Sequence, residues 1–323
     1  MQLRMQKVWY SRFVKNNKTK PQYRTRNWSD YNSALRLRGS LTLWVDQPAI
    51  DQWLCASKPA RRGRPLLYTD TAIQCCLLLR AVFHLPLRQT QGLAQSIFRL
   101  LNLDLPAPNY SLLSRRARQL QVALTAPSAK PIRHLVFDAS GLKVFGEGEW
   151  KVRTHGKVYR RTWRKLHIGL DAESQQLVVA LLTDNEVVDP RTLSRQLKRV
   201  DAPVKRVYGN GAYDSRACDK AIHQRGARAI IPPRKGALLW KDDYLKDRNR
   251  NRRGVLRHGP EGGKRRSGFH RRSLVETAFF RLKAIFSERL RNRRDDPQAT
   301  EALMRCAALK RMTSLGMPDS YRI

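Results

Sequence analysis

Arg272, Glu276 and Lys283 are spaced to fall on one stripe of a helix turning about 100° per residue, and Phe269 lies two turns before Glu276 on the same stripe. A carboxylate flanked by two cations can hold a metal ion and a phosphate backbone together, as phosphodiester chemistry requires. Val275, Phe279, Leu282 and Phe286 recur at i, i+4, i+7 and i+11 and form a separate apolar stripe that would face a core. Taken alone, the charged stripe reads equally as a surface helix with ordinary i, i+4 ion pairs. Two other places offer oxygen ligands. Asp138 ends the apolar run His134-Leu-Val-Phe-Asp138 and is followed by Ala-Ser-Gly, although a strand-end Asp also serves as a cap or turn former. Gly209-Asn210-Gly211-Ala-Tyr-Asp214 forms a tip where two glycines would let a ligand approach the backbone. A two-metal site gathers carboxylates from separate elements around two cations about 3.5–4 Å apart. Magnesium or manganese suits oxygen ligands, and no His/Cys cluster competes. Position 210, where a third ligand is expected, is Asn.

The elements that must position these residues follow from the hydrophobic pattern. Residues 27–125 read as helical. Ser29 or Asp30 would cap a first helix, Asp46 a second with Pro48 in its first turn, and Thr69 or Asp70 an apolar helix running to Phe83. Leu87–Phe98 and Tyr110–Leu120 continue the series. The last of these is basic, with Arg115, Arg116 and Arg118, and suits a helix-turn-helix-like reader of a major groove; the alternative is a packing domain with a solvated basic face. Residues 126–130 read as a linker, after which the period changes. Strands are expected at 134–140, 166–171, 176–183, 204–208 and 229–231, with a turn at 172–174 and helices at 190–200 and 215–225. This order predicts an α/β fold, a mixed sheet flanked by helices over 131–318, with a basic insertion near 235–268.

The 64 Lys and Arg against 26 Asp and Glu give a formal net charge of +38 and a pI near 11.1. Such self-repulsion favours a polyanionic partner, with nucleic acid ahead of a membrane surface. No run approaches the roughly 18 apolar residues of a spanning helix, and the first residues lack the apolar stretch of a signal peptide. The five cysteines are odd in number and without Cys-x-x-Cys spacing, so reduced thiols and a cytoplasmic location are expected, without a zinc site. Residues 1–26 carry eight Lys and Arg and no acid: a basic arm. Arg61, Arg62 and Arg64, in an extended Gly/Pro-constrained segment, suit a narrow minor groove. Trp163 could stack on a base or simply pack at a strand start, and His167 reads as a satisfied histidine rather than a catalytic base.

Asp138-Ala-Ser-Gly-Leu-Lys, the Gly-x-Gly-Ala-Tyr-Asp tip and the Arg272…Glu276…Lys283 spacing together resemble the DDE transposases of bacterial insertion sequences, with the Tyr/Arg/Glu/Lys-type signature on the last catalytic helix. Trp28-Ser-Asp-Tyr-Asn, Arg38-Gly-Ser-Leu-Thr, Phe145-Gly-Glu-Gly-Glu-Trp-Lys and Ile231-Pro-Pro-Arg-Lys-Gly fit the same family, so the resemblance spans nearly all of the chain after the arm. It implies an RNase H-like catalytic domain preceded by an all-helical DNA-binding domain. It also implies two Mg²⁺ or Mn²⁺ ions per site, and double-stranded DNA as partner, both transposon ends and target. A homo-oligomer, a dimer in the synaptic complex, would act near the nucleoid. Asp138 and Glu276 match the first Asp and the Glu; Arg272 and Lys283 match the basic partners that grip DNA near the cleaved end. Two positions depart. Phe269 replaces the family's Tyr and loses a hydroxyl, while Asn210 replaces the second Asp and is a poorer Mg²⁺ ligand. The expectation is a transposase that binds ends and cuts poorly or not at all. The rival is a non-catalytic DNA-binding protein or repressor on the same scaffold.

Overall fold

The computed structural model describes residues 22–56, 66–124, 132–144 and 163–323. The basic arm before residue 22, Arg61, Arg62 and Arg64, the 126–130 linker and the Phe145–Lys151 motif lie outside the described residues.

The centre is a sheet of order β4-β3-β2-β5-β6, with β7 on the far end of β2. Strands β2 (Ile132–Val144), β3 (Trp163–Asp171) and β4 (Leu177–Asp184) form an antiparallel meander; β5 (Val204–Tyr208) and β6 (Arg228–Ile230) add in parallel. This mixed sheet flanked by helices is the architecture that the resemblance implies. Asp171 closes the β3–β4 turn by accepting hydrogen bonds from the amides of Glu173 and Ser174.

The first strand is longer than its apolar run suggests, and Asp138 lies in its middle rather than at its end. Pairing with β3 continues through Lys143, and β7 (Arg289–Leu290) catches Lys143 and Val144. On the other edge β5 pairs only as far as Val136↔Tyr208. Among the described residues no strand pairs with 137–142 on that side, so β2 carries Asp138 past the end of its neighbour.

One face of the sheet is covered by α7 (Asp189–Lys198) and α8 (Arg216–Gln224), packed around Leu135, Phe137 and Val207. The other face, with Val136, Leu142, Leu166 and Ile168, meets α10 (Ser273–Phe286), whose Val275, Phe279, Leu282 and Phe286 are all buried as their spacing predicts. The C-terminal α11 (Asp295–Ser314) lies between β4 and the N-terminal helices. It buries Gln298, Glu301 and Arg305 alongside Ala302, Met304 and Leu309, so no single apolar stripe announces it.

The N-terminal helices are α1 (Trp28–Leu37), α2 (Leu41–Trp44), α3 (Gln47–Asp51), α4 (Asp70–Val82), α5 (Leu87–Leu100) and α6 (Tyr110–Arg116). Asp46 and Thr69 cap α3 and α4 by accepting from the amides of Ala49 and Ala72, as read from sequence. Ser29 and Asp30 do not cap α1, which starts at Trp28; Asn27 precedes it with its side chain committed elsewhere, to the carbonyl of Met317 and the amide of Asp319. One continuous apolar core joins these helices to the sheet through α11. A two-stranded ribbon, β1 (Tyr23–Thr25) against β8 (Ser320–Arg322), joins the two ends of the described chain. Among the described residues no single helix is long and apolar enough to cross a membrane; α4 and α5 pass together on length and composition but are bent by 111°.

Candidate active site

The parallel register brings two of the three expected ligands together. With Val136 opposite Tyr208, two further residues put Asp138 beside Asn210, and the Asn210 amide Nδ2 donates to Asp138 Oδ1 at 3.0 Å. The third group arrives from the helix side. The Arg272 guanidinium donates through Nη2 to Asp138 Oδ2 at 2.7 Å and through Nη1 to Glu276 Oε1 at 2.6 Å. Asp138, Asn210, Arg272 and Glu276 therefore form one connected cluster at the open edge of β2. Arg272 is mostly buried, and its Nε has no hydrogen-bond partner among the described residues. Burial raises the Asp138 carboxyl above its ordinary range, while the charge of Arg272 and the amide of Ala139 pull the other way.

The cluster offers carboxylate oxygens, the donors that a hard cation takes. Asp138 Oδ2 and Glu276 Oε1 converge on the same positive group, so a divalent ion in place of the guanidinium would meet two carboxylate oxygens. Position 210 serves a second ion poorly. Its Oδ1 already accepts from the Ala212 amide at 2.8 Å, capping the 3₁₀ turn Gly211–Tyr213, and its NH₂ faces Asp138. No group of three His, Cys, Asp or Glu side chains gathers as a metal site among the described residues.

Asp214 is not spare. Its Oδ1 accepts from Arg248 Nε at 2.8 Å and its Oδ2 from the Arg234 amide at 2.9 Å, and the Asp214 and Arg248 side chains are each 3% exposed. Arg248 also donates to the Leu238 carbonyl and stacks on Trp240, 3.4 Å from the ring centre. This pins the tip to the basic stretch that forms the helical segment α9 (Lys246–Ser267), broken at Gly259 where φ is 70°. Gly209 serves packing rather than ligand approach: a Cβ there would lie 2.9 Å from the Tyr213 ring. Nearby, burial pushes the Asp219 carboxyl up to about 7, with the charge of Asp214 adding to it and Arg248 opposing it. A carboxyl raised in the folded state stabilises fully below its unfolded value, and that contribution is lost as pH rises through 7. Replacing Asp219 with Asn should remove this loss. Urea melts between pH 5 and 7 should show the variant gaining on the native chain by on the order of 1 kcal/mol per pH unit, with the gain levelling off above 7. Parallel stability curves would mean that Asp219 is not the buried acid.

The remaining expected residues distribute unevenly. Phe269 is not on the α10 helix: Gly268, at φ 73°, ends α9, and Phe269–Arg272 form a 3₁₀ turn, with Lys264 Nζ 5.7 Å from the Phe269 ring centre. Arg272 nevertheless keeps its one-turn relation to Glu276, and Lys283 lies two turns further along α10. Trp163 packs over Gly141 and pairs across the strands with Lys143. These residues alternate with Asp138 along β2, so Trp163 belongs to the opposite face of the sheet. Arg116 turns inward, donating to the Tyr68 carbonyl and pairing with Asp70 at 2.5 Å, whereas Arg115 and Arg118 are exposed on a groove shared with Leu66, Leu67 and Asn109. His167 is fully buried between Thr183 Oγ1, 2.9 Å from Nε2, and Thr192, and burial lowers it to about 4. Reading by residue type missed Arg248, because nothing in a run of arginines marks the one that turns inward.

Two families, each described as "Transposase DDE domain", match this chain, one over residues 129–309 and the other over residues 36–147. Among solved structures, the Drosophila P element transposase strand transfer complex is similar at 13% identity and a TM-score of 0.31, over 62% of this chain and 48% of that one. The piggyBac transposase synaptic complex with hairpin DNA is similar at 11% identity and a TM-score of 0.36, over 85% and 75%. The Mos1 transposase paired-end complex with left transposon end is similar at 13% and 0.23, over 80% and 82%. The chain spans about half the length of the P element protein it matches.

Proposed function

This chain belongs to the family of transposases with a DDE domain, and from that premise we propose that it binds the terminal inverted repeats of an insertion sequence and that its strand cleavage is impaired by Asn210. The observation that carries the reading is the Arg272 guanidinium held between Asp138 and Glu276, with Asn210 hydrogen-bonded to the same Asp138. Asp138 and Glu276 would hold Mg²⁺ or Mn²⁺, which polarises a phosphoryl oxygen and activates water. In hydrolysis the water oxygen attacks phosphorus and the bond to the 3′ oxygen breaks, leaving a 3′-hydroxyl on the element and a 5′-phosphate on the flank. That hydroxyl then attacks a target phosphodiester; a bond from its oxygen to the target phosphorus forms, the bond from that phosphorus to the target's own 3′ oxygen breaks, and the target strand leaves with a 3′-hydroxyl. Until an ion takes its place, Arg272 orients both carboxylates and offsets their charge, and Lys283 supplies a cation along the same helix for the DNA backbone.

The division of labour follows the charge. The helical part, 27–125, binds the ends, using exposed Arg115 and Arg118 together with the 61–64 arginines; residues 131–318 carry the chemistry. Two copies of the chain pair two ends. A second reading, a DNA-binding protein or repressor without catalysis, is favoured by one observation: Asn210 satisfies both Asp138 and the Ala212 amide as it stands, so the tip needs no ion to hold it together.

Both readings require specific, strongly electrostatic DNA binding. Affinity for the DNA flanking the coding gene should fall steeply with salt, because each neutralised phosphate contributes about 0.9 to the slope of log affinity against log salt. A slope magnitude above roughly 5 is expected from a chain of net charge +38. A shallow slope, or equal affinity for flanking and random duplex, would overturn the assignment to element ends.

A further inference from the structure

The joint between the N-terminal helices and the sheet encloses a pocket that the carboxylate cluster does not use. Arg80 enters it from the last turn of α4, Thr300, Glu301 and Arg305 from α11, and Arg291 from the segment after β7. Exposed His84 stands at its mouth. The cavity volume is about 30 Å³, where roughly 10–15 Å³ admits one water, so a small ion fits and a nucleotide does not. Phe286 and Met304 give it an apolar wall, which strengthens charge interactions inside. Three guanidinium groups share one carboxylate here, and that carboxylate is already engaged. Glu301 accepts from the amides of Arg291 and Asn292, from Asn292 Nδ2 at 2.7 Å and from Arg305 Nη2. Arg305 also donates to the carbonyls of Ser287 and Arg289, and Arg291 Nη1 donates to the carbonyl of His84. Arg80 is left over: its Nε is buried with no hydrogen-bond partner among the described residues. Burial pulls this guanidinium below its ordinary range; Glu301 opposes the shift, and Arg291 and Arg305 add to it. A buried donor without an acceptor costs free energy, and an anion in the pocket removes that cost.

We propose that this pocket binds a phosphate-type oxyanion between Arg80 of α4 and Thr300 of α11, with Arg291 at the rim, and so ties the N-terminal helices to the sheet. The planar guanidinium fork and the hydroxyl opposite it suit the several acceptor oxygens of such an ion. The bound charge also relieves the repulsion among Arg80, Arg291 and Arg305. Free phosphate and the terminal phosphate of a DNA strand share this chemistry.

Calorimetry on the full chain at constant ionic strength, with inorganic phosphate as the probe, reads the site directly. The native chain should show one saturable site with a dissociation constant of about 1 mM or tighter, above the weak background of its basic surface. Arg80→Met should weaken that site at least about tenfold, the scale of a hydrogen bond to a charged group. Arg195→Met, which removes an exposed arginine of α7, should leave it within about twofold. Thermal melts separate binding from folding. Without phosphate, Arg80→Met should melt no lower than the native chain, because the Nε it removes has no partner to lose. With phosphate at about ten times its dissociation constant, the native chain should gain and the variant should not. Thr300→Val, which keeps the side-chain shape, should also lose the phosphate response, and it carries the test if Arg80→Met does not fold. Phosphate binding equal to the native chain's in a folded Arg80→Met or Thr300→Val overturns the proposal. So does a native chain with no saturable site, in which the pocket holds only water. The source of the anion is read from a short duplex carrying a 5′-phosphate or a 5′-hydroxyl. A preference for the phosphorylated duplex that disappears in Arg80→Met supports the site and assigns it to a strand end. Equal affinity for the two duplexes, with the saturable phosphate site intact, supports it and assigns it to the free anion.

Discussion

Replacing Asn210 with Asp is expected to raise Mg²⁺- or Mn²⁺-dependent nicking of end DNA by roughly a hundredfold or more, because ion-mediated charge stabilisation at phosphorus is a matter of several kcal/mol and each 1.36 kcal/mol is tenfold in rate. The substitution exchanges an NH₂ donating to Asp138 Oδ1 at 3.0 Å for a carboxylate oxygen. Two carboxylates at that separation cannot both ionise without a cation between them. The metal-free variant should therefore be less stable than the native chain above neutral pH. Since the shared proton raises the folded-state value, stability should return as the pH falls and be lost as it rises. Added Mn²⁺ should raise the melting temperature of Asn210→Asp by more than that of the native chain, a readout independent of cleavage. Combining it with Glu276→Gln should abolish nicking again. DNA affinity without metal should hardly change, because one charge is small against +38. A variant that binds end DNA but neither nicks it nor responds to Mn²⁺ would favour the non-catalytic DNA-binding reading.

The second large effect concerns the buried pair beneath the tip. Arg248→Met removes the partner of a carboxylate that is 3% exposed, and should cost about 3–5 kcal/mol in denaturant unfolding. Asp214→Asn should be similarly harmful to stability, because it strands the guanidinium, and should not abolish nicking in the Asn210→Asp background beyond what the loss of fold explains. The double variant should recover part of the loss, since neither charge is then left unpaired. Single variants within about 1 kcal/mol of the native chain would mean that the tip is not anchored through Arg248. Asp214 acting as a ligand would show instead as a lost Mn²⁺ shift at unchanged metal-free stability.

These two sites mark how far residue patterns reach. The juxtaposition of Asp138 and Asn210 is legible, because each sits at or near the end of an apolar run and parallel strands of matching register bring such positions together. The buried face of α10 is legible for the same reason: Val275, Phe279, Leu282 and Phe286 obey one period. The length of β2 is not legible, since residues 139–144 mix Ser, Gly and Lys and are held by pairing to β3 and β7, strands that are distant in sequence. Nor is the turn before α10. Continuing the helical period back to Phe269 ignores Gly268, whose left-handed backbone separates two helices. The roles of Gly209 and Asp214 depend on what packs against them, Tyr213 in one case and Arg248 in the other. Composition lists the members of such pairs without joining them, so a tip that reads as a ligand cradle is largely a packed and ion-paired scaffold.

The ribbon of β1 and β8 has a consequence for synthesis. Thr25 faces Ser320 across 295 residues of chain, and the first strand has no other strand partner among the described residues. At synthesis rates of roughly 5–20 residues per second, on the order of fifteen seconds to a minute of translation separates the emergence of the two strands. Every other sheet pairing can be made before the ribbon closes. Among the described strand pairings the ribbon is therefore the last that synthesis makes possible, and a stop codon anywhere after α11 leaves the six-stranded sheet and its carboxylates complete while β1 stays without its mate.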